Sequence, residues 1–501
     1  MTLEAFKQPD HPTDVLIVGG GINGVGIARD LAGRGLNVVL VEKDDFAAHT
    51  SSASTKLIHG GLRYLEYNEF RLVRKALAER EVLLDAAPHI MWPLQFVLPH
   101  EPYLRPTWMI RIGLFLYDHL AKRRRLPGSY SVRLTDHVAG APLNHPDRIG
   151  FIYSDGWVDD ARLVILNAMA ARESGATLLT RCQCVGLTPH NNLWQVRLNS
   201  NGQEVNLFAK SIINAAGPWA DLFLKETRPA MAHQGLRLVK GSHIVVPKRF
   251  DHPYAYIFQN EDRRIVFAIP YEHDFTLIGT TDVDYKQNPQ NVAISEQEVS
   301  YLCDVANHYF KNPITPADVV HTYSGVRPLM DDEHLDAKSV TRDYHFEFTS
   351  ESPPLLSILG GKITTYRKLA EEAADHLKRF IPMSEDWTQH APLPGGDMPG
   401  ADFETFVLTL NAQYPQFPPS LLLRYARAYG TRVYTLLGTR TSVADMGEEV
   451  LPTVYAVEIE YWRQHEWAVT ATDMLWRRSK LGLHLPKNAV ERLDAWLNQH
   501  S

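Results

Sequence analysis

Gly19, Gly21 and Gly24 stand at the spacing Gly-x-Gly-x-x-Gly within Gly19-Gly20-Gly21-Ile22-Asn23-Gly24, and Glu42 follows about twenty residues after the turn. This set suits a diphosphate. The first glycine permits a tight turn, the second lets backbone N–H groups approach phosphate oxygens, and the third lets a helix pack closely on a strand. The start of that helix adds partial positive charge. An acid at Glu42 accepts hydrogen bonds from both ribose hydroxyls and repels a 2′-phosphate, which argues for a dinucleotide other than NADP.

The elements needed to position these residues are present in order. Residues 14–18 are short, apolar and β-branched, as in a buried parallel strand. A helical pattern through Ile27, Ala28, Leu31 and Ala32 stops at Gly33-Arg34-Gly35, and a second strand over residues 37–41 ends on Glu42. Beyond it, Thr50-Ser51-Ser52-Ala53-Ser54-Thr55-Lys56 and Leu57-Ile58-His59-Gly60-Gly61 form a run of small hydroxyl residues and paired glycines. Residues 211–215 read as a strand ending in Ala216-Gly217-Pro218, and residues 355–359 as another that ends in Gly360-Gly361-Lys362-Ile363-Thr364. A helix starting there can stabilise negative charge on a reduced flavin ring. Three returns to one cofactor fit a long FAD better than NAD. The expected FAD contacts are Gly19, Gly20, Gly21, Asn23, Gly24, Glu42, Thr50, Ser51, Ser54, Lys56, Leu57, His59, Gly61, Ala216, Gly217, Gly361, Lys362 and Thr364.

At the other end of a flavin, an anionic substrate needs fixed cations, and arginine pairs bidentately with phosphate oxygens. Arg63, Arg327 and Arg342 each sit among small or turn-forming residues, and Lys362 follows paired glycines. Taken singly, each arginine reads as well as a surface or ion-paired residue. Oxidation of an alcohol also needs a proton acceptor. Among 22 histidines, His243, after Lys240-Gly241-Ser242, is the first choice and His59 the second; a structural histidine is the ordinary alternative.

Taken together, Gly19–Glu42, Thr50–Tyr64, Asp155-Gly156-Trp157-Val158-Asp159-Asp160-Ala161-Arg162, Lys240-Gly241-Ser242-His243, Ile278-Gly279-Thr280-Thr281-Asp282, Tyr323-Ser324-Gly325-Val326-Arg327-Pro328, Thr341-Arg342-Asp343-Tyr344 and Gly360–Lys368 make the chain resemble the FAD-dependent, respiratory, quinone-linked glycerol-3-phosphate dehydrogenases, closest to the bacterial aerobic kind. The resemblance implies oxidation of sn-glycerol 3-phosphate to dihydroxyacetone phosphate by hydride transfer to FAD, with electrons passed to ubiquinone or menaquinone. It implies Arg327 and Arg342 on the phosphate, Arg63, Tyr64 and Lys362 near the substrate head and flavin, and His243, Arg327 and Lys362 as the catalytic set. A homodimer on the cytoplasmic, inner face of the cell membrane is the expected assembly. The rival readings are an oxidase using O2 on the same substrate, an amine or amino-acid oxidase of the wider fold family, and a non-catalytic flavin-binding regulator. No metal is expected: the Asp-x-Asp-x-Asp-Gly loop of calcium-binding relatives does not occur after residue 386.

The fold implied is α/β plus α: a Rossmann-like FAD-binding domain of the glutathione-reductase/D-amino-acid-oxidase type, an antiparallel-sheet substrate domain and a C-terminal helical cap. Residues 1–65, 150–230 and 350–385 are expected to hold FAD, with 66–149 and 231–349 as the substrate domain. Past Pro392-Leu393-Pro394-Gly395-Gly396 helical patterns dominate, so 390–501 reads as all helical, with Trp462, Trp467, Trp476 and Trp496 as core or interface.

The bulk numbers agree with an ordinary globular chain. Of 501 residues 45% are apolar and 22% charged, enough for about three domains. A net charge of −7 gives no field to attract nucleic acid. Three cysteines suit free thiols in a reducing cytoplasm; Cys182 and Cys184 lie on a strand, with one expected to face the core. The first fourteen residues lack the apolar run of a secretory signal, and no run of about 18 apolar residues crosses a bilayer. Residues 106–117, apolar and aromatic, precede Lys122-Arg123-Arg124-Arg125. That pairing suits either a helix lying in an anionic lipid surface or a buried helix with a solvated basic end.

Overall fold

In the computed structural model, residues 7–200, 202–228, 236–330, 343–349 and 353–500 are described. The first strand, Thr13–Val18, is buried on both faces, which its unbroken apolar run requires. It pairs in parallel with Val38–Val41 on one side and Gln203–Asn214 on the other. Thr177–Leu179 and Leu355–Leu359 extend this parallel core outward. Helices Ile22–Gly33, Asp160–Glu173 and Tyr366–Lys378 cover one face and share a core with it. His345–Thr349 adds an antiparallel edge, and the hairpin Cys182–His190/Leu193–Ser200 leads into Gln203–Asn214.

The second sheet is mostly antiparallel. Leu236–Pro247 lies between Phe275–Gly279 and His321–Met330. Ile265–Tyr271, Ala255–Gln259, Met91–Pro99 and Ile149–Val158 continue it. Helix Glu296–Tyr309, started by a Ser295/Glu298 capping box, packs on one part of it. Helices Phe70–Ala86 and Thr107–His119 contribute Val73, Leu77, Leu114 and Tyr117 to a separate core. Two strands fall on the other side of the expected division. Ile149–Val158 belongs to this second sheet, and His345–Thr349 to the first. Their hydrogen-bonding neighbours decide this, and no pattern within either strand encodes them.

The two sheets are tied by the chain itself. Immediately after the hydroxyl-rich run, Leu57–Ile58 pairs with Gly156 and Trp157 of the second sheet. The run 44–56 therefore bridges the sheets, which places it along whatever lies between them.

The C-terminal part gathers helices Phe403–Gln413, Pro419–Tyr429, Ala456–Glu466 and Ala489–Gln499 around a core that includes the fully buried Trp462. It is not all helical, because Glu449–Leu451 and Val454–Tyr455 form a short hairpin. Residues Asp473–Arg478 wind as a π-helix, a form concentrated at functional sites. Arg162 fastens this part to the first sheet's helices: its guanidinium donates to both carboxylate oxygens of Glu466, at 2.5 and 2.9 Å.

Cys182 and Cys184 are both buried, with Gln183 exposed between them. Residues two apart on a strand share a face, so the expectation that one of the pair faces the core is corrected to both. Burial pushes their thiols up, to about 11 and about 12, away from reactivity. No helix among the described residues is long and apolar enough to cross a membrane.

Candidate active site

A cavity of about 710 Å³ runs between the sheets, from Gly19 and Glu42 at one end to His243 and Lys362 at the other. At the first end, a Cβ on Gly24 would overlap the Gly19 carbonyl oxygen, so helix and strand cross at glycine contact. Gly19 itself has φ +112°, and a Cβ there would press on the Ala215 carbonyl. Gly21 occupies the cap position of the helix Ile22–Gly33 and has no side chain to offer its N–H groups. Ser51 Oγ accepts from Ile22 N at 3.0 Å. Glu42 accepts from Gly20 N at 2.6 Å and Asp44 N at 2.9 Å. Burial raises its carboxyl, and these two donors oppose the rise. Each oxygen keeps a second lone pair for a ribose hydroxyl.

Most of the expected cofactor residues line this cavity: Gly19, Gly21, Asn23, Glu42, Thr50, Ser51, Ser54, Leu57, His59, Gly61, Ala216, Gly217, Gly361, Lys362 and Thr364. Gly20 and Gly24 shape the turn from behind. Lys56 is the exception. It is buried away from the cavity lining, with Nζ 2.7 Å from Asp160 Oδ1, and the same carboxylate accepts from Ser54 N and Oγ. The expected contact of Lys56 with the cofactor is therefore replaced by a structural ion pair that braces the run. A lysine in a polar stretch gives no sign of which way it points.

At the other end, three strands place His243. Its register partners are Gly279 and Tyr323, and a Cβ on Gly279 would strike the imidazole, so the ring lies over the glycine. Tyr323 stacks on it at 4.8 Å, and Thr55 Oγ1 is 3.0 Å from Nε2. Nδ1 is buried with no hydrogen-bond partner. Burial above all, then Lys56 and Arg327, holds its pKa well below the ordinary 6.5, so the ring is neutral at neutral pH. Thr55 and Tyr323 were not singled out from sequence. Thr55 sits within the hydroxyl-rich run, whereas the pairing of 323 with 243 has no local signal.

Alternation along the paired strands puts Gly241 and His243 on one face with Gly325 and Arg327. All four line the cavity, and two glycines leave a floor without side chains between the histidine and the arginine. Arg327 is pinned by Asp282, with Nη2 2.6 Å from Oδ1, and a Cβ on Gly241 would crowd that guanidinium. Asp282 is a further residue that sequence reasoning left without a role. Opposite, Lys362 Nζ lies 3.9 Å from the centre of the Tyr64 ring, and Arg63 Nη2 donates to Tyr67 Oη at 3.3 Å. Gly360 and Gly361 have φ +79° and +103°, and Asn23 Nδ2 donates to the Gly360 carbonyl, joining the glycine fingerprint to this wall. Gly60 N donates to Tyr117 Oη at 2.9 Å, and Tyr117 donates to the buried Asp155–Arg80 pair. His59, the second choice of base, also lines the cavity. Arg342 lies outside the described residues.

A diphosphate turn at one end, an acid for ribose, and a side-chain-free floor beside a neutral histidine at the other fit FAD. Asn23 Oδ1, buried without a partner beside the Gly360 turn, adds a polar atom for it to meet. The sequence profile described as "FAD dependent oxidoreductase" matches residues 14–367. The chain belongs to that family. A second profile, "C-terminal domain of alpha-glycerophosphate oxidase", matches residues 387–498. This FAD-dependent oxidoreductase is 54% identical over 488 residues to the glycerol-3-phosphate dehydrogenase of Pseudomonas aeruginosa, covering 97% of this chain and 94% of that one. It is 50% identical over 489 residues to the D-erythritol 1-phosphate dehydrogenase of Brucella abortus, covering 97% of each. The crystal structure of the glycerol-3-phosphate dehydrogenase from Bacillus halodurans complexed with FAD superposes with a TM-score of 0.80 at 27% identity, over 99% of this chain and 92% of that one.

Because the Gly24–Gly19 contact is backbone on backbone, it has no side chain that can yield. Gly24→Ala is expected to weaken FAD binding by roughly tenfold or more, about 1.4 kcal/mol per decade, read as the flavin-to-protein absorbance ratio after gel filtration. Full flavin occupancy in that variant would show that the turn can open.

Proposed function

We propose that this enzyme oxidises sn-glycerol 3-phosphate to dihydroxyacetone phosphate and passes the electrons to a membrane quinone, ubiquinone or menaquinone. The observation that carries the reading is the pairing of a neutral, buried His243 with Arg327 across a floor of two glycines. FAD, when bound, supplies the two-electron acceptor for the C2 hydride. Arg327, held by Asp282, fixes the phosphate, with Arg342 as its expected companion. Arg63, Tyr64 and Lys362 enclose the substrate head. His243, which lines the cavity in its neutral form, accepts the C2 hydroxyl proton. Its depressed pKa keeps the accepting form populated, and the hydroxyl becomes more acidic as hydride leaves. Several cations around one floor suit a phosphate better than the single carboxylate of an amino acid.

With this goes a division of labour, with FAD held by residues 1–65, 150–230 and 350–385, substrate by 66–149 and 231–349, and residues 390–501 as a cap. Strands Ile149–Val158 and His345–Thr349 are the exceptions to this division, being built into the second and the first sheet respectively. A second reading has a specific support. The Brucella relative, of similar identity, is named for a four-carbon polyol phosphate, so D-erythritol 1-phosphate is the alternative substrate.

Membrane contact is assigned to helix Thr107–His119. Its buried side, Leu114 and Tyr117, is locked to the site, while Trp108, Ile112 and Phe115 are 63, 52 and 59% exposed on one face with Leu116. Arg123, Arg124 and Arg125 add less charge than their sequence suggests, because Asp118 and Asp85 pair with them. The apolar stripe is the better support for seating on the inner face of the membrane.

Anaerobic mixing with sn-glycerol 3-phosphate is expected to bleach the flavin absorbance near about 450 nm, with unphosphorylated glycerol inert and little peroxide formed in air. Faster bleaching by D-erythritol 1-phosphate would move the assignment to the second substrate. His243→Gln is expected to lower kcat at least about tenfold. In the parent enzyme the base form is present above the depressed His243 pKa, so its contribution to kcat persists as pH falls through 6.5 and is lost only on the acid side. A kcat midpoint at 6.5 that disappears in the variant would contradict this. Trp108→Ser/Phe115→Ser is expected to abolish sedimentation with anionic-lipid vesicles while dye-linked turnover is kept.

A further inference from the structure

The run that bridges the two sheets lines the cavity with Ala47, Thr50, Ser51 and Thr55, yet its first residues face away from the cavity and toward the C-terminal part. Asp45 is buried, and its carboxylate lies in a pair of guanidiniums. Arg478 donates from Nη1 at 2.5 Å and Nη2 at 2.8 Å, and Arg477 donates from Nε at 2.6 Å. Arg478 is fully buried and is itself fixed, since its Nε and Nη2 also donate to the Glu466 carbonyl at 2.9 and 2.5 Å. Arg477 is held by Asp473, and Asp473 also pairs with Arg181 at 2.6 Å. The backbone N–H of Arg181 in turn donates to the Asp44 carbonyl at 2.9 Å. The next residue, Phe46, is buried beneath Gly20 of the phosphate turn and meets the Trp467 ring edge-on at 5.2 Å. Three consecutive residues are thus anchored by, or through, residues 466–478. One residue further on, Ala47 turns the chain at φ +58° into the cavity wall.

We infer that Arg477 and Arg478 are positioning residues for FAD. Through Asp45, and with Trp467 acting on Phe46, they set the segment that presents Ala47, Thr50 and Ser51 to the cofactor. Neither arginine lines the cavity, so any effect on FAD passes through this segment. The geometry is that of a clamp. A carboxylate gripped bidentately by one buried arginine and again by a second has little freedom to slide. The residues that follow inherit that position through a short, strained turn. Ser51 accepts from the first N–H of the fingerprint helix, so a shift of the segment disturbs the phosphate turn directly. The cap is thereby a lock on flavin retention, and not only a separate helical body beside the site. The inference assigns a role to the paired arginines of the π-helix that the chemistry at His243 does not need.

The test compares Arg477→Gln, Asp45→Asn and Asp45→Glu with the parent enzyme, each stripped of flavin and retitrated with FAD. Flavin fluorescence gives the dissociation constant, and melting temperatures are taken with and without FAD. The expected result is an FAD dissociation constant raised about tenfold or more in Arg477→Gln and Asp45→Asn. The stabilisation that FAD confers shrinks in step, kcat at saturating FAD stays within about threefold, and Asp45→Glu partly recovers affinity. Asp45→Asn leaves two guanidiniums short of a partner in the interior and can fail to fold. Arg477→Gln keeps the Asp45–Arg478 pair, and its site is 14% exposed, so it carries the decision alone in that event. An FAD dissociation constant within threefold of the parent in Arg477→Gln, with melting temperatures lowered equally with and without FAD, overturns the proposal and leaves the clamp a structural brace.

Discussion

The cofactor end of this protein rests on one close approach, that of the Gly24 backbone to the Gly19 carbonyl, where no Cβ fits. Because helix and strand meet at that distance, the helix begins inside the glycine turn, where its N-terminus faces the cavity with partial positive charge. The other parts follow from it. Glu42 can reach Gly20 N only because the neighbouring strands Thr13–Val18 and Val38–Val41 end side by side. Ser51 can reach Ile22 N only because the run beyond Glu42 folds back over the turn. A longer contact would leave these donors and acceptors unpaired in a buried site, which costs more than the bonds themselves return.

The His243 end of the cavity obeys a different constraint, which is to hold cations and an imidazole close together without letting them titrate one another out of use. Burial and two nearby positive charges keep His243 neutral. Asp282 partly offsets Arg327 and fixes its direction. Gly241 leaves room for the Arg327 guanidinium, and Gly325 leaves room for Ala53 of the bridging run. The sheet does this by register. Residues two apart on neighbouring strands share a face, so two glycines, a histidine and an arginine far apart in the chain become a single surface.

Between these ends, buried ion pairs recur: Lys56–Asp160, Arg80–Asp155, Arg162–Glu466 and Arg478–Asp45. Such pairs return little net stability, because desolvation offsets their attraction, but a wrong arrangement would strand a charge in the interior. Here they join segments that must meet in one way only. Lys56–Asp160 braces the bridging run, Arg80–Asp155 stands behind the Gly60 turn through Tyr117, and the other two seat the C-terminal helices. The proposed clamp is one use of that specificity.

Sequence by itself determined the parts whose physics is local. The glycine turn, its flanking strands and Glu42 lie within thirty residues and carry their own geometry. Chemistry set by type was legible as well: a histidine after a glycine turn, arginines among small residues. What depended on distant neighbours was decided only by tertiary structure. Lys56 points to Asp160 and away from the cavity, Arg123 to Arg125 are paired with aspartates, and Cys182 and Cys184 are buried together. Asp282, Thr55 and Tyr323 reach the site, and the arginines of residues 477 and 478 reach a loop more than four hundred residues earlier. The reason is physical. A residue's type limits which bonds it can make, whereas burial and partner, which set its charge state and direction, exist only once the sheets have packed.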